Sequence, residues 1–334
     1  MDLSIVIPVY RSAQTLESLV GRLLPVLDGL DRSYEIVFVD DGSPDNSWAK
    51  LQQLQARYAD RIVAIQLMRN YGQHNALMCG FRHSQGDFVV TMDDDLQNPP
   101  EEIGRLLAEI ERKDLDLVYG NYDQKKHGSV RNLGSWLVNK FYRLVFHANV
   151  TVTSFRAIRR PLLESIFNYN LTFTFLDGLL AWNTQRIGSI KVDHQPRQAG
   201  RSGYSISKLL VLALNLFTNF SLLPLQVVSL LGVVTAIGGF ALGAVFLAQA
   251  LFSDVVVPGY ASTIVAVLML GGMQLLALGV IGEYLGRLHL NVNGKPQYCE
   301  RKILDDVDES TATDDHASYR VNRTPAVAGA RRAG

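Results

Sequence analysis

Three successive aspartates, Asp93-Asp94-Asp95, follow the apolar run Val89-Val90-Thr91-Met92 and precede Leu96-Gln97-Asn98-Pro99-Pro100. In an extended segment alternate side chains share a face, so Asp93 and Asp95 are expected to point together and Asp94 away from them. Paired carboxylates repel unless a cation lies between them. Hard oxygen ligands of this kind suit Mg²⁺ or Mn²⁺, which completes its shell with substrate phosphates and water. A second acidic strand end, Ile36-Val37-Phe38-Val39-Asp40-Asp41-Gly42-Ser43, repeats the arrangement one unit earlier. Carboxylates are costly to bury without donors, and ribose hydroxyls and a nucleotide base would supply them. The two cysteines, Cys79 and Cys299, are far apart and lack metal-ligand spacing. That argues against a disulfide framework and a zinc site.

The elements that must position these groups are legible as alternating patterns. Ser4 to Val9, Glu35 to Val39, Ile62 to Gln66, Phe88 to Met92 and Leu117 to Tyr119 read as strands. Between them, Trp48, Leu51, Leu54 and Tyr58 recur at helical spacing, and Pro99-Pro100-Glu101-Glu102 opens another helix with proline and acids in its first turn. Such alternation predicts an α/β fold with a parallel sheet wound on both faces and ligands at the carboxyl ends of its strands. No Gly-x-Gly-x-x-Gly follows the first strand and no Gly-Lys-Ser/Thr occurs. A dinucleotide fold and a P-loop ATPase are therefore disfavoured. The amino terminus lacks a basic region and reads as a first strand rather than a signal peptide.

Charge is balanced overall, with 32 Lys plus Arg against 32 Asp plus Glu, so no global field favours nucleic acid. Its distribution is uneven. From Leu209 through Gly286 there is no lysine or arginine, and only Asp254 and Glu283 are charged. Residues 225–252 and 261–282 are apolar runs long enough, at about 1.5 Å per residue, to cross a hydrocarbon core of roughly 30 Å. Arg197, Arg201 and Lys208 precede this hairpin, and Arg287, Lys295, Arg301 and Lys302 follow it. Basic flanks put both ends on the cytoplasmic side. The expected organisation is a catalytic domain over 1–203, interfacial amphipathic helices over 204–223, and a two-helix transmembrane hairpin over 224–286. A segment over 287–304 then returns to the catalytic domain, and a disordered tail follows over 305–334.

Several motifs recur in an order that points to one family. They are Val6-Ile7-Pro8-Val9-Tyr10, Val39-Asp40-Asp41-Gly42-Ser43, Asn70-Tyr71-Gly72, Asp93-x-Asp95-Leu96-Gln97 with Pro100-Glu101, Gly282-Glu283-Tyr284-Leu285-Gly286-Arg287, and Pro296-x-Tyr298. With these the chain resembles the polyisoprenyl-phosphate glycosyltransferases of glycosyltransferase family 2, the group similar to dolichol-phosphate mannosyltransferase. The resemblance covers roughly residues 4 to 300 and implies a GT-A fold for the soluble part. Carried over by position, it implies that Pro8, Tyr10, Asp40 and Asp41 hold the nucleoside. Asp93, Asp95 and Gln97 would organise the metal and diphosphate. Arg131 and Ser135 would hold a lipid phosphate, and Arg197 the donor diphosphate; Asp95, Arg131 and Arg197 would carry catalysis. A guanidinium fork suits phosphate oxygens.

Departures from the pattern are Tyr10-Arg11-Ser12 in place of Tyr-Asn-Glu, Gly120-Asn121-Tyr122 in place of Gly-x-Arg, and Ser154 where relatives carry aspartate before Phe155-Arg156. Ser202-Gly203-Tyr204 likewise replaces Ser-Lys-Tyr. The resemblance implies inverting transfer of a sugar from a nucleotide diphosphate to a polyisoprenyl phosphate, undecaprenyl phosphate in a bacterial inner membrane. Two other readings stand beside it: elongation of a glycan acceptor, and a membrane scaffold without turnover. Gly239-x-x-x-Gly243 and Gly282-x-x-x-Gly286 suit close helix approach, and similar proteins form tetramers, so a homo-oligomer is a further expectation.

Overall fold

The computed structural model describes residues 1–121, 151–169, 174–193, 223–252, 260–293 and 295–305. By its internal contacts the chain divides into two units, Met1–Gly203 with Lys295–Gly334, and Tyr204–Gly294.

In the first unit, β-branched runs form the centre of a sheet. β1 (Leu3–Val9), β2 (Tyr34–Asp40), β3 (Ile62–Leu67) and β4 (Phe88–Thr91) are joined by α1 (Leu16–Asp28), α2 (Ser47–Arg57) and α3 (Gln73–His83). β1 lies between β2 and β4, parallel to both, and β3 extends the set beyond β2. Every residue of β1 is buried, as expected of a strand covered on both faces. After β4, a 3₁₀ turn (Pro100–Glu102) leads into α4 (Ile103–Arg112), followed by β5 (Leu117–Asn121). Next come β6 (Arg156–Arg159), α5 (Arg160–Ile166), α6 (Leu176–Asn183) and β7 (Ile187–Lys191).

The expected strands are all present, but the sheet is mixed rather than parallel. Its order is β7-β5-β6-β4-β1-β2-β3-β8. β6 inserts antiparallel between β4 and β5, and β8 (Glu300–Leu304) adds antiparallel to β3 at the edge. Both are short strands that arrive from later in the chain. Strand-helix alternation reports direction only for consecutive strands joined by a crossover, so it could not place them.

Helices cover the sheet through apolar stripes. α1 buries Leu16, Leu19, Val20, Leu23, Leu24 and Leu27, and α4 buries Ile103, Leu106, Leu107 and Ile110. These join Ile5, Ile7, Phe38, Val90 and Met92 in one core. Each such side chain contributes roughly 1.5–3 kcal/mol on leaving water. A polar knot ties the connection between α3 and β4 to β1 and β2. Ser4 donates to Glu35 Oε1 at 2.6 Å and accepts from the Gly86 amide at 2.7 Å, while the Gln85 amide reaches the same Glu35 oxygen at 2.6 Å.

In the second unit, α7 (Leu223–Phe252) and α8 (Tyr260–Val292) are long and apolar enough to cross a membrane. Within them Leu225–Val245 has a mean hydropathy of 2.1 and Met269–Gly286 one of 1.3, and neither window is buried in the chain. Phe240, 82% exposed, shows how fully these side chains face outward. α8 runs on past the expected end at 282 to Val292. Thr235 links the two helices by donating to Met273 Sδ at 3.0 Å. The expected interfacial helices, the loop at 253–259 and the tail from 306 lie outside the described residues.

Candidate active site

The parallel strands end on one side of the sheet, where ligands bind in open α/β folds. A cavity of about 300 Å³ opens there. It is lined by Pro8 and Val9 at the end of β1 and Tyr10 after it, Asp41 after β2, Asn70 and Gly72 between β3 and α3, Gln73 at the start of α3, and Asp93, Asp94 and Asp95 after β4. The structure thus brings together Pro8, Tyr10, Asp41, Asp93 and Asp95 of the residues expected from sequence.

Each carboxylate is held differently. Asp93 accepts from Gln73 Nε2 at 2.8 Å and from Ser154 Oγ at 2.5 Å. Burial pushes its pKa up, and the adjacent Asp95 adds to this, while Ser154, Arg156 and Gln73 pull the other way. Asp95 is oriented by Gln97, whose backbone amide and side-chain amide reach its two oxygens at 3.2 and 2.9 Å. Gln97 therefore acts on Asp95 and does not line the cavity. Leu96 between them has φ of 62°, so the chain turns sharply after Asp95.

Asp94 was expected to point away, yet it too lines the cavity. The reason is that β4 stops at Thr91, so strand alternation no longer governs the aspartates. Asp94 Oδ2 accepts from the Tyr10 amide at 3.1 Å and from the Ser12 hydroxyl. Burial pushes its pKa up to about 6. It ties the loop after β1 to the acidic turn. Ser12, one of the departures from the family motif, makes that tie.

Asp41 does structural service in the same wall. Its two oxygens accept from the Tyr71 and Gly72 amides at 2.7 and 2.8 Å, which shapes the loop carrying Asn70 and Gln73. Gly42 beside it has φ of 63°, and a Cβ there would stand 2.5 Å from the Arg69 carbonyl carbon. Only glycine permits so close an approach. Asp40 is fully buried behind the cavity and does not line it. Its Oδ1 accepts from the Ser43 amide at 3.2 Å, and burial pushes its pKa up.

Beneath the acidic turn lies a buried cation that the sequence reading did not single out. Arg156 on β6 is 2% exposed and forms an ion pair with Asp177 of α6. Its Nε donates to Thr91 Oγ1 at 3.0 Å, and Tyr119 donates to Asp177 at 2.9 Å. The guanidinium is close enough to lower the pKa of Asp93. Its signal in the sequence was position: Phe155-Arg156 directly follows Ser154, which touches Asp93. Arg131, Ser135 and Arg197 lie outside the described residues.

The cavity can hold an anionic ligand only if positive charge accompanies it, because four carboxylates, of Asp41, Asp93, Asp94 and Asp95, line it. That is the demand a nucleotide diphosphate with a divalent cation would meet.

A model of glycosyl transferase family 2 matches residues 4–167. Undecaprenyl-phosphate 4-deoxy-4-formamido-L-arabinose transferase of Proteus mirabilis (strain HI4320) is 34% identical over 305 residues, spanning 90% of this chain and 93% of its own length. The protein of the same name from Salmonella choleraesuis (strain SC-B67) is 36% identical over 307 residues, with the same two shares. Among solved structures, glucosyl-3-phosphoglycerate synthase from Mycobacterium tuberculosis, in complex with Mn²⁺, UDP and glucosyl-3-phosphoglycerate, aligns at 20% identity. The TM-score is 0.47, over 65% of this chain and 77% of that one. With relatives above 30% identity along 90% of its length, a mixed α/β sheet and paired aspartates at its strand ends, the chain belongs to glycosyltransferase family 2.

Proposed function

We propose that the chain transfers a sugar from a nucleoside diphosphate to a polyisoprenyl phosphate, undecaprenyl phosphate being the acceptor that its relatives' names carry. The observation that supports this most is the cavity itself, which sets the Asp93–Asp95 turn against the ends of β1 and β2. The nucleoside would lie along Pro8, Tyr10 and Asp41, with Asp40 behind them.

Mg²⁺ or Mn²⁺ fits the donor set of Asp93 and Asp95, two carboxylates kept in place by Gln73, Ser154 and Gln97. When bound, such an ion neutralises charge that develops on the departing diphosphate. The chain's own residues do the rest. Gln73 and Ser154 hold both oxygens of Asp93, so that its direction is set before the donor arrives. Asp94 keeps the Tyr10 loop against the same turn.

In the transfer, an oxygen of the lipid phosphate bonds to the anomeric carbon. The bond from that carbon to the donor diphosphate breaks, and the diphosphate leaves with the electron pair. Attack from the opposite side inverts the centre. No aspartate stands at position 154 to act as a base, and none is needed. A phosphate monoester, with a second pKa of about 6, is already largely ionised near neutrality.

The two apolar helices support a membrane-spanning hairpin. The basic flanks support a cytoplasmic catalytic domain at the inner membrane. The open surroundings of Gly239, Gly243, Gly282 and Gly286, where a Cβ would meet nothing within 4 Å, support packing against further copies of the chain.

The two phosphate sites are assigned to different arginines, and this separates by measurement. Arg131→Ala, with Ser135 in the same subsite, is expected to depress the acceptor-dependent rate while leaving donor nucleotide affinity nearly unchanged. Arg197→Ala is expected to weaken donor binding instead. Calorimetric nucleotide affinity beside acceptor kinetics in both variants decides it. Loss of donor binding in Arg131→Ala, or untouched acceptor kinetics, would overturn the assignment.

A further inference from the structure

Away from the cavity, three side chains of metal-ligating type converge where the edge strand β8 meets α3. Cys79 and His83 stand four residues apart on α3, on one face of the helix, and Glu300 opens β8. Cys79 Sγ lies 3.6 Å from Glu300 Oε1, His83 Nε2 lies 2.9 Å from the same oxygen, and the three ligand atoms fall within 4.8 Å of one another. We propose that Cys79, His83 and Glu300 form a second metal site, separate from the aspartates, that takes Zn²⁺ or a similar borderline-soft divalent ion.

The dimensions support it. With bonds of about 2.3 Å to sulfur and about 2.0–2.2 Å to nitrogen and oxygen, the ligand atoms of a tetrahedral zinc site stand roughly 3.3–3.6 Å apart. The sulfur–oxygen separation already has that value. The nitrogen–oxygen pair needs to open by about half an ångström, and the sulfur and nitrogen, within 4.8 Å of each other, need to close by up to about 1.3 Å. One thiolate, one imidazole and one carboxylate form a donor set that zinc favours over Mg²⁺.

Access is suitable as well. Cys79 is fully buried, whereas the side chains of His83 and Glu300 are 29% and 17% exposed. An ion can enter from the outer side and keep a water as its fourth ligand. Binding would release the Cys79 thiol proton to solvent as the thiolate–metal bond forms. Burial and the neighbouring Glu300 otherwise hold that thiol protonated. Arg82, a nearby cation, donates to the Phe167 carbonyl at 2.5 Å and pulls the Cys79 pKa the other way. The sequence disfavoured zinc because its two cysteines are far apart; the fold uses only one of them and completes the set with residues 4 and 221 positions away.

Such an ion would fasten β8, the strand that follows the apolar hairpin, to the helix whose first residue, Gln73, orients Asp93. Without it, β8 is attached by the Cys79 and His83 contacts to Glu300, the β3–β8 ladder, the Met68 amide to the Cys299 carbonyl at 2.9 Å, and the side-chain bond from Gln297 to Thr174, among others.

The test uses the full-length chain in detergent, stripped with a chelator and titrated with Co²⁺. The expected result is a thiolate-to-cobalt charge-transfer band saturating at one equivalent, bleached by Zn²⁺. It should be retained in Cys299→Ser and Asp95→Asn and lost in Cys79→Ser. No thiolate band in the wild type, or a band that survives Cys79→Ser, overturns the proposal. Should Cys79→Ser fail to fold, the partly exposed His83→Gln serves in its place. It should weaken Co²⁺ at the thiolate band by at least about tenfold, the low end of what disturbing even an outer partner of a ligand costs. Unchanged affinity overturns the proposal.

Discussion

Asp95→Asn is expected to lower turnover by roughly 10²–10³-fold or more, the scale on which removal of one preorganised charge-stabilising group is felt, with folding intact. The reasoning is local. Asp95 lines the cavity, and Gln97 holds both of its oxygens. An asparagine keeps the shape and one acceptor, so Gln97 retains a partner. What is lost is negative charge facing the ion that neutralises the diphosphate. Excess chelator should have the same effect on the wild type, because Asp93 and Asp95 would otherwise meet the donor with like charge. Single-turnover rates beside thermal unfolding check this. A mild loss in Asp95→Asn, or full activity in chelator, moves the metal elsewhere.

Arg156→Met is expected to destabilise the domain by about 3–5 kcal/mol, the cost of breaking a buried ion pair from one side. The pair is nearly inaccessible, with side-chain exposures of 2% for Arg156 and 6% for Asp177. Removing the guanidinium leaves Asp177 charged in the interior without its cation, though Tyr119 still donates to it. It also frees Thr91 Oγ1 of its arginine contact and withdraws the cation that lowers the pKa of Asp93. Adding Asp177→Asn to Arg156→Met should recover part of the lost stability, since a neutral amide costs less to bury than an unpaired carboxylate. Denaturant unfolding of the wild type and the two variants checks it. Equal stability of Arg156→Met and wild type would show that the pair contributes nothing net.

What the sequence made legible, and what it hid, follows from how each feature is encoded. β1 to β5 were readable because each is a short local run of apolar residues, mostly β-branched or aromatic, bounded by turns. The apolar helices were readable because a stretch without lysine or arginine is a property of composition. β6 and β8 were not, because their places in the sheet depend on partners distant in sequence, and neither Arg156–Arg159 nor Glu300–Leu304 alternates in polarity. Asp93 and Asp95 were found as a motif. Asp94 was misplaced because the strand it was taken to continue ends at Thr91. Ser154 was noticed as a missing carboxylate; that it instead donates a hydrogen bond to Asp93 is visible only once β6 stands beside β4. The cluster of Cys79, His83 and Glu300 was invisible for the same reason as β8, which delivers its third member.

The central claim is that sugar passes to a polyisoprenyl phosphate. The direct measurement is to incubate the purified chain with a panel of radiolabelled nucleotide sugars, undecaprenyl phosphate and a divalent cation, then to extract lipids and separate them from polymer and water-soluble products. The account predicts label in a mild-acid-labile lipid monosaccharide with one donor, dependent on added undecaprenyl phosphate and absent in Asp95→Asn. Label in polymer, or no label in lipid with any donor while nucleotide still binds, would contradict it.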